Sequence, residues 1–517
     1  MQFAVLDHVY PEGEESEYWP EDVDAVLFHD PWATGDEIES LDGGYRTVYI
    51  LRIRMGTGIA EIGRVKIGHT SMHAERERVA PLPARFSRLD SSFFSVGQSD
   101  EYYRNVRDVV GSTYDDVLRA LRDVSFDEAN LLTALRYDVT QKSLLRFVKL
   151  AAVRGQLRRI AHGGERKMSF NVAYEPPTPH GAEPVRFRFQ VEPDSHPPSN
   201  VHALTGRNGV GKSFVLSHLA RAVAAGDPQP ETLGRVIEFG REGRSFTNLV
   251  TVSFSAFDDF PLVESDEMFI ASYVGLRVQG ARSPRFKTPY GLRGDFAQGM
   301  QACLTRERLG QWIETLRTLN YPGSSLLEDG WLENFENSPS HRSRERKARK
   351  LFRHLSSGHR IVLLTMTRLI EHVSERTLVI IDEPENHLHP PLLAAFMRAL
   401  SALLTERNGL AIVATHSPVV LQEIPARCVW KLWSYGGYMG AEQPRIETYG
   451  ENVGILTHEV FGLEVTAAGF QKELQRLVAD GYSYDAVMEH FRDRLGSEAQ
   501  LVLSALLGIR NETQGQG

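Results

Sequence analysis

Residues 201–223 read VHALTGRNGVGKSFVLSHLARAV, which is an apolar strand followed by a glycine-rich loop and an amphipathic helix. The loop satisfies the pattern GxxxxGK[ST], and its two flanks supply the strand and the helix that this pattern requires. Backbone N–H groups of such a loop wrap phosphate groups, and the N-terminus of the helix adds positive potential. We therefore predict a nucleotide-binding loop made of Gly206, Arg207, Asn208, Gly209, Val210, Gly211, Lys212 and Ser213.

Two residues of this loop have more specific expected roles. Lys212 is long enough to reach the β- and γ-phosphates, and the hydroxyl of Ser213 is an expected ligand of Mg²⁺. The predicted cofactors are therefore ATP and Mg²⁺. The alternative is a glycine-rich turn that only resembles this motif, and the flanking strand and helix weigh against it.

A second motif, residues 377–383 (TLVIIDE), is an apolar strand that ends in two carboxylates. A P-loop fold uses this position for one residue that holds Mg²⁺ through water and one that activates the attacking water. We expect Asp382 to take the metal role and Glu383 the catalytic role. A further apolar strand ends near His416, 33 residues after Glu383, where the imidazole could hydrogen-bond a γ-phosphate. A histidine at the end of a strand is also common as a purely structural residue.

Composition excludes several classes of protein. The chain has 517 residues, 42% hydrophobic and 24% charged, which is ordinary for a globular protein of two or three domains. It contains no apolar run of the roughly 18 to 20 residues that a membrane span needs, and its N-terminus shows no secretory signal. Cys303 and Cys428 are too few for a disulfide framework. We therefore expect a cytoplasmic protein with no membrane contact.

Charge is unevenly distributed along the chain. The net charge is −9, but the first 45 residues hold 13 acidic residues and no Lys or Arg. Two stretches, residues 146–167 and 341–353 (HRSRERKARKLFR), are strongly basic. Solvated helix faces and partner-docking surfaces are the simpler interpretations of these stretches, and contact with DNA phosphates is the alternative.

The pattern of elements predicts an α/β fold with three parts. Residues 1–165 combine an acidic, turn-rich start with strand and helix patterns, typical of an accessory α+β domain. Residues 166–450 alternate buried strands with helices, as in a parallel sheet with crossover helices, and a short helical insert occupies about 285–360. Residues 451–517 form a helical tail. The core is expected to be a P-loop NTPase.

Residues 355–359 read LSSGH and lie 27 residues before Asp382, at the start of an apolar helix. This pattern resembles the LSGGQ signature of ABC-type ATPases, with Ser357 for the first Gly and His359 for the Gln. The resemblance implies an ABC-type ATPase head. It also implies that Ser356, Ser357 and Gly358 bind the γ-phosphate held by a second copy, so that two copies pair head to tail around ATP. A simple helix N-cap is the alternative interpretation.

Other stretches indicate which groups of ABC-type ATPases the sequence resembles. The run DEPENHLHP at 382–390 is similar to that of ABC ATPases of the RecF, Rad50 and overcoming-lysogenization-defect group, and it disfavours a transporter. With that resemblance, His387 and His389 start a D-loop helix rather than bind a metal. Residues 252–260 (VSFSAFDDF), 273–279 (YVGLRVQ), 451–454 (ENVG) and 458–462 (HEVFG) resemble ATPase subunits of anti-phage systems of the Septu and retron-associated kind. Gln279 is the candidate Q-loop residue, with an ordinary surface Gln as the alternative.

The resemblance implies a function. Relatives of this kind pair with a separate effector, so we expect the sensing and regulatory ATPase of an anti-phage system that controls a separate nuclease. One alternative is a DNA repair or recombination ATPase that acts on DNA directly, although the long coiled-coil arms of such enzymes are missing. A nucleotide-gated scaffold that barely hydrolyses ATP is a third interpretation, and Glu383 argues against it.

Overall fold

The computed structural model of the chain describes most of its length, with gaps. The described residues are 1–6, 19–29, 43–56, 58–73, 76–164, 167–178, 185–226, 229–239, 245–254, 263, 265, 269–278, 285–304, 306–435, 438–467, 470–496, 499–500, 502–504, 506–507 and 510.

A seven-stranded sheet forms the centre of the molecule. Its strands are β9 (Val201–Gly206), β11 (Asn248–Ser253), β12 (Ile270–Gly275), β13 (Thr377–Asp382), β14 (Leu410–Thr415), β15 (Val429–Tyr435) and β16 (Tyr438–Glu442). Their spatial order is β12-β11-β13-β14-β9-β15-β16, and only β16 runs antiparallel to its neighbour. Since β14 lies between β9 and β13, the carboxyl ends of these three strands meet at one edge of the sheet.

Helices cover both faces of this sheet, which explains why β9, β11, β13 and β14 are buried along their full length. Successive side chains of β13 point to opposite faces. Leu378 and Ile380 join the core cluster under α6 (Lys212–Ala225), whereas Val379 and Ile381 join the cluster under the helices of the opposite layer. The predicted α/β fold with a P-loop NTPase core is confirmed.

The helices on the second face include the insert. They are α7 (Pro289–Cys303), α8 (Arg306–Leu319), α9 (Trp331–Glu336), α10 (His341–His354), α11 (Ser357–His372), α12 (Pro390–Arg407) and α13 (Pro418–Leu421). Trp312 on α8 is fully buried, and its indole N–H donates to the Thr367 hydroxyl on α11 at 3.0 Å. This contact joins the insert to the helix that begins at the LSSGH segment.

A six-stranded sheet lies within the first hundred residues. Its strands are β1 (Phe3–Leu6), β2 (Ala25–His29), β3 (Val48–Met55), β4 (Gly58–His69), β5 (Arg85–Phe86) and β6 (Phe93–Gly97), in the order β5-β1-β2-β3-β4-β6. We expected only an acidic, turn-rich segment before residue 46. Instead β1 and β2 are strands with buried apolar residues, and β2 lies between β1 and β3 inside the sheet.

Short helices pack on this sheet. They are α1 (Asp100–Val110), α2 (Tyr114–Ala120), α3 (Glu128–Ala134), α4 (Leu150–Ala152) and α5 (Arg158–Ala161), with π-turns at Thr140–Leu144 and Val153–Leu157. Tyr102 and Tyr103 of α1 are both buried against the sheet. The sheet and these helices therefore share one large apolar core. A second, smaller cluster contains Ala4, Trp19, Val23, Val26 and Phe28.

A three-stranded sheet follows, in the order β10-β7-β8. Its strands are β7 (Phe170–Glu175), β8 (Phe187–Val191) and β10 (Arg235–Glu238). β7 and β8 pair antiparallel. Beyond β16 the chain forms the helices α14 (Val453–Ala467), α15 (Phe470–Ala479) and α16 (Tyr484–His490).

An ion pair and a hydrogen bond join the first part of the chain to the core. Arg159 on α5 makes a bidentate contact with Glu375, which precedes β13, at 2.6 and 3.1 Å. Lys149 Nζ donates to the carbonyl oxygen of His372, the last residue of α11, at 3.1 Å. Burial and the nearby Arg308 lower the pKa of Lys149 to about 8. The C-terminal end of α11 therefore lies at the junction of the two parts.

Within the part of the chain that the structure describes, no helix is both long and apolar enough to cross a bilayer. Cys303 and Cys428 are both buried and not joined in a disulfide.

Candidate functional site

The glycine-rich loop connects β9 to α6 at the carboxyl edge of the sheet. Gly206, Gly209 and Gly211 have φ values of 142°, 79° and 103°, which L side chains rarely adopt. A Cβ added at Gly206 would lie 2.4 Å from the Leu432 carbonyl oxygen of β15, whereas Gly209 has open space on that side. The loop therefore needs glycine for its conformation and leaves room for a ligand above Gly209.

Lys212 is the first residue of α6 and is buried within the loop. Its ammonium donates to the carbonyl oxygens of Gly206 at 3.0 Å and Arg207 at 3.1 Å. The N-cap of α6 is Gly211, which has no side chain to cap the first N–H groups of the helix. A 14-residue helix with such a start offers N–H groups and positive potential to an anion.

The two carboxylates of the second motif lie at the end of β13. Asp382 is buried and pairs in register with Ala414 of β14. Glu383 has a left-handed backbone (φ 45°, ψ 61°), and its N–H donates to the Ala414 carbonyl oxygen at 2.9 Å. Its Oε2 accepts from the Asn386 side-chain amide at 2.9 Å. The chain therefore turns sharply after Asp382, and the Glu383 side chain remains partly exposed at the sheet edge.

A third carboxylate, Glu385, binds the end of the neighbouring strand β14. Its Oε1 accepts from the Thr415 hydroxyl at 2.8 Å and from the His416 N–H at 2.7 Å. The Nδ1 atom of His416 lies 3.0 Å from the same oxygen and 3.9 Å from Glu383 Oε1. The structure thus brings Glu383, Glu385 and His416 together at the ends of β13 and β14. Strand β14 is the direct neighbour of β9, which leads into the glycine-rich loop.

Sequence reasoning assigned roles to Glu383 and His416 but none to Glu385. The only feature of the sequence that pointed to Glu385 was its place as the third carboxylate in the run that begins at Asp382. Its partners Thr415 and His416 are about thirty residues away, and only the parallel pairing of β13 with β14 brings them near. Sequence spacing alone could not indicate that contact.

The LSSGH segment caps α11. Ser356 is the N-cap residue, and its hydroxyl accepts from the His359 N–H at 3.4 Å and lies 2.7 Å from His359 Nδ1. Ser357 is exposed, and a Cβ added at Gly358 would lie 3.1 Å from the carbonyl oxygen of His387. The helix N-cap interpretation is therefore correct for Ser356, and it is compatible with a further role at an exposed surface.

Histidines surround this helix start. The rings of His359 and His389 are 6.2 Å apart, and His387 Nε2 lies 3.1 Å from the Phe254 carbonyl oxygen. Burial, and secondly the nearby His389, lower the pKa of His359. These contacts connect the start of α11 to the segment after β13. Gln279, the Q-loop candidate, and residues 255–260 of the anti-phage resemblance lie outside the described residues.

Comparison with known proteins identifies a relative over most of the chain. Protein ea59 of Escherichia phage lambda is 36% identical over 478 residues, which are 88% of this chain and 91% of the phage protein. The chain belongs to the ea59 family.

A domain family also matches part of this ea59-family chain. Residues 317–422 match an AAA domain family whose description names the AbiEii toxin and a Type IV TA system. The matched range runs from the end of α8 through α11, β13, α12 and β14 to just past α13, and so contains Asp382, Glu383, Glu385 and His416. The glycine-rich loop on β9 and this match agree with a P-loop NTPase fold for the core.

Solved structures are similar at low identity. A nucleotide-free ATP-binding cassette of an ABC transporter is 14% identical and covers 58% of this chain and 100% of its own, with a TM-score of 0.29. An ATP-binding cassette of an ABC transporter in the ADP conformation is 15% identical and covers 59% and 100%, with a TM-score of 0.30. The topology of the ea59-family chain is therefore given by its own strand order.

The residues present fit ATP with Mg²⁺. The glycine-rich loop has the backbone conformation and the uncapped helix start that bind phosphates, and Lys212 lies inside it. The hydroxyl of Ser213 and the carboxylate of Asp382 are oxygen ligands of the kind that Mg²⁺ prefers. These two side chains are the ones that would hold the ion.

Proposed function

We propose that the chain binds ATP with Mg²⁺ and hydrolyses it. The observation that carries this proposal is that Glu383, Glu385 and His416 lie close together at the carboxyl edge of the sheet. The glycine-rich loop with Lys212 lies at the same edge. A loop for phosphates together with carboxylates and an imidazole on the adjacent strands is what water attack on a γ-phosphate needs.

Each of the predicted residues has a role in this proposal. Lys212 neutralises the phosphates, and Ser213 and Asp382 hold Mg²⁺. Glu383 orients and activates the attacking water, and its hydrogen bond from Asn386 holds the carboxylate in place. His416 contacts the terminal phosphate from the neighbouring strand.

We also propose that two copies pair head to tail around ATP. The support is the resemblance of residues 355–359 to an ABC signature and the exposure of Ser357 at the start of a 16-residue helix. The N–H groups and hydroxyls of this helix start are suited to the far side of the γ-phosphate, which Lys212 and Ser213 do not reach from their own side. A second copy supplies them.

The biological role that we infer is regulatory. The resemblance to anti-phage ATPase subunits supports a cytoplasmic sensing subunit that controls a separate effector nuclease. The junction at His372 supports such coupling, since Lys149 contacts the end of the helix whose other end carries the signature. Copurification of the chain with a small nuclease subunit would test this role.

A second candidate function is direct action on DNA, and the basic face of α10 favours it. Arg342, Arg346, Arg349, Lys350 and Arg353 are exposed and recur at helical spacing on one face. This face ends near the signature at Ser356. Stimulation of ATP hydrolysis by bare DNA ends would favour this function, and an unchanged rate at low salt would argue against it.

Substitution of Lys212 tests the ATPase proposal. Lys212→Ala removes the cation inside the loop, so we expect loss of ATP binding and of hydrolysis. An equilibrium binding assay with ATP and Mg²⁺ measures the first effect and phosphate release the second. Partly exposed Lys347, which lies on α10, gives the matched control Lys347→Ala. Near-normal ATP affinity of Lys212→Ala would remove the nucleotide-binding assignment.

A further inference from the structure

We propose that a surface at the start of α7 binds single-stranded DNA, with exposed aromatic rings that stack on bases and arginines that contact phosphates. This inference deepens the second candidate function, on which it rests for the choice of DNA. It adds base-stacking rings to the basic face of α10, and it does not depend on ATP hydrolysis.

Two aromatic side chains at the start of α7 face solvent. Tyr290, in the first turn of α7, is 83% exposed, more than any other large hydrophobic side chain that the structure describes. Phe286, two residues before the N-cap residue Thr288, is 48% exposed. Burial of such rings is strongly favourable, so two of them left in water at one place are available to a partner.

Backbone hydrogen bonds hold the segment that carries Phe286 against the residues that follow β12. The Val278 N–H donates to the Arg285 carbonyl oxygen at 2.8 Å, and the Lys287 N–H donates to the Leu276 carbonyl oxygen at 2.6 Å. Phe286 lies between the two residues of its segment that make these bonds. Its ring is therefore presented by a fixed backbone beside the first turn of α7.

The charged side chains around these rings are mainly cations. Arg285 and Arg293 are exposed, and no carboxylate of the described residues lies within ion-pair distance of either one. Asp295, the only carboxylate of α7, is already paired with Lys287 at 2.7 Å. The surface therefore has a net positive charge, and two of its arginines are available to phosphate oxygens.

The surface adjoins the basic face of α10. The rings of Phe296 on α7 and Phe352 on α10 stack with their centroids 4.2 Å apart, which places the two helices side by side. Arg293 lies one turn before Phe296, and Arg349 lies one turn before Phe352. Tyr290 lies a further turn before Arg293. Exposed rings and exposed cations thus occur on neighbouring parts of two packed helices.

This combination suits a single strand better than a duplex or an acidic protein. Unpaired bases expose flat faces on which aromatic side chains stack, and the backbone of the strand supplies phosphates to nearby cations. In a duplex the base faces are covered by one another, so the rings would have no partner. An acidic protein would pair with the arginines but offers no row of planar groups to Tyr290 and Phe286.

The test measures binding of a fluorescent oligodeoxythymidine strand to the full chain by anisotropy, without ATP. Tyr290→Ala should weaken binding about tenfold, because loss of one stacking side chain typically has an effect of that order, whereas Tyr290→Phe should bind like the native chain. Arg293→Ala should weaken binding and make the slope of log K against log salt shallower by about 0.7. Tyr482→Ala, at an exposed ring between α15 and α16, is the matched control.

A strand of the same length without bases separates stacking from charge. The native chain should bind this abasic strand more weakly than the normal strand, and Tyr290→Ala should cause no further loss on it. Arg293→Ala should weaken binding to both strands. Phe286→Ala provides a second variant of the stacking surface, so the test does not depend on one substitution.

Several outcomes would overturn the inference. These are native affinity in both Tyr290→Ala and Phe286→Ala, an equal loss on the normal and abasic strands, tighter binding of a duplex or an RNA of the same sequence, or equal displacement by polyglutamate. Weaker binding only after substitutions on α10 would exclude the rings while keeping DNA as a partner. If the native chain hydrolyses ATP but binds no strand, this inference fails and the ATPase proposal stands.

Discussion

At the scale of single residues, Glu383 is notable because it is not glycine. Its φ of 45° and ψ of 61° are left-handed values that cost a non-glycine residue free energy. The turn directs the chain from β13 into the short 3₁₀ helix Pro384–His387. A carboxylate at a position where glycine would be less strained is what the proposed catalytic role of Glu383 predicts.

Glu383→Gln tests that need. The amide has nearly the same shape but cannot accept a proton from water, so ATP binding should persist while turnover falls. Removal of a general base typically costs about 10² to 10⁴ in rate. Single-turnover hydrolysis and an ATP binding assay measure the two effects separately. An unchanged turnover number would contradict the catalytic role.

Asp123 provides a residue whose protonation affects stability. It follows α2 and is buried, and its oxygens accept from the Tyr103 hydroxyl at 3.0 Å and from the N–H groups of Ser125 at 2.8 Å and Phe126 at 2.9 Å. Burial raises the pKa of Asp123 from 3.8 to about 7. The folded chain therefore binds this proton more tightly than the unfolded chain does.

The consequence is a loss of stability with rising pH. Between pH 3.8 and about 7 the unfolded chain releases the proton that the folded chain retains. In this window the free energy of unfolding should fall by up to about 1.4 kcal/mol per pH unit. Asp123→Asn cannot ionise, so this contribution should disappear when urea midpoints at several pH values are compared. Asp115→Asn, on the exposed side of α2, is the control. Identical pH dependence in Asp123→Asn and the native chain would refute the shift.

At the scale of elements, α11 connects two distant features. It begins at Ser357, in the segment that resembles an ABC signature, and it ends at His372, which accepts a hydrogen bond from Lys149. Its middle is buried, and Thr367 holds Trp312 of the insert. Helix α11 is therefore a continuous physical connection between the signature segment and the contact with Lys149.

Ser357→Arg tests the exposed end of α11. The side chain is exposed, so a large cation should fit without disturbing the fold, but it would block a second copy from placing its γ-phosphate there. We expect ATP binding by the monomer to remain nearly intact, while ATP-dependent pairing and hydrolysis are lost. Light scattering with ATP and phosphate release measure the two effects. Normal hydrolysis at concentrations where the native chain pairs would exclude the signature role.

At the scale of the whole molecule, hydrolysis in a head-to-tail pair requires parts of two chains. Mixing Ser357→Arg with Lys212→Ala protein would create pairs with one intact composite site, made of the loop from the first variant and the signature from the second. We therefore expect partial recovery of hydrolysis in the mixture, although each variant alone is inactive. Titration of one variant with the other measures it. No recovery at any ratio, with pairing demonstrated by light scattering, would argue against catalysis in trans.

The sequence by itself determined the class of the core. A strand, a loop of the pattern GxxxxGK[ST] and a helix are contiguous in the sequence. The strands β9, β11, β13 and β14 are short runs of mainly apolar residues, which are stable only when they are buried. These features are local, so their physical causes can be seen in a few adjacent residues. For the same reason the helix start at Ser356 could be predicted.

Only the tertiary structure decided the features that depend on distant contacts. β1 and β2 are strands because they bury apolar residues in a sheet with β3, although the acidic residues around them indicate turns and solvent. The contact of Glu385 with His416 exists because β13 and β14 are parallel neighbours. Both depend on burial and pairing between segments far apart in the chain, which no local pattern of residue types encodes.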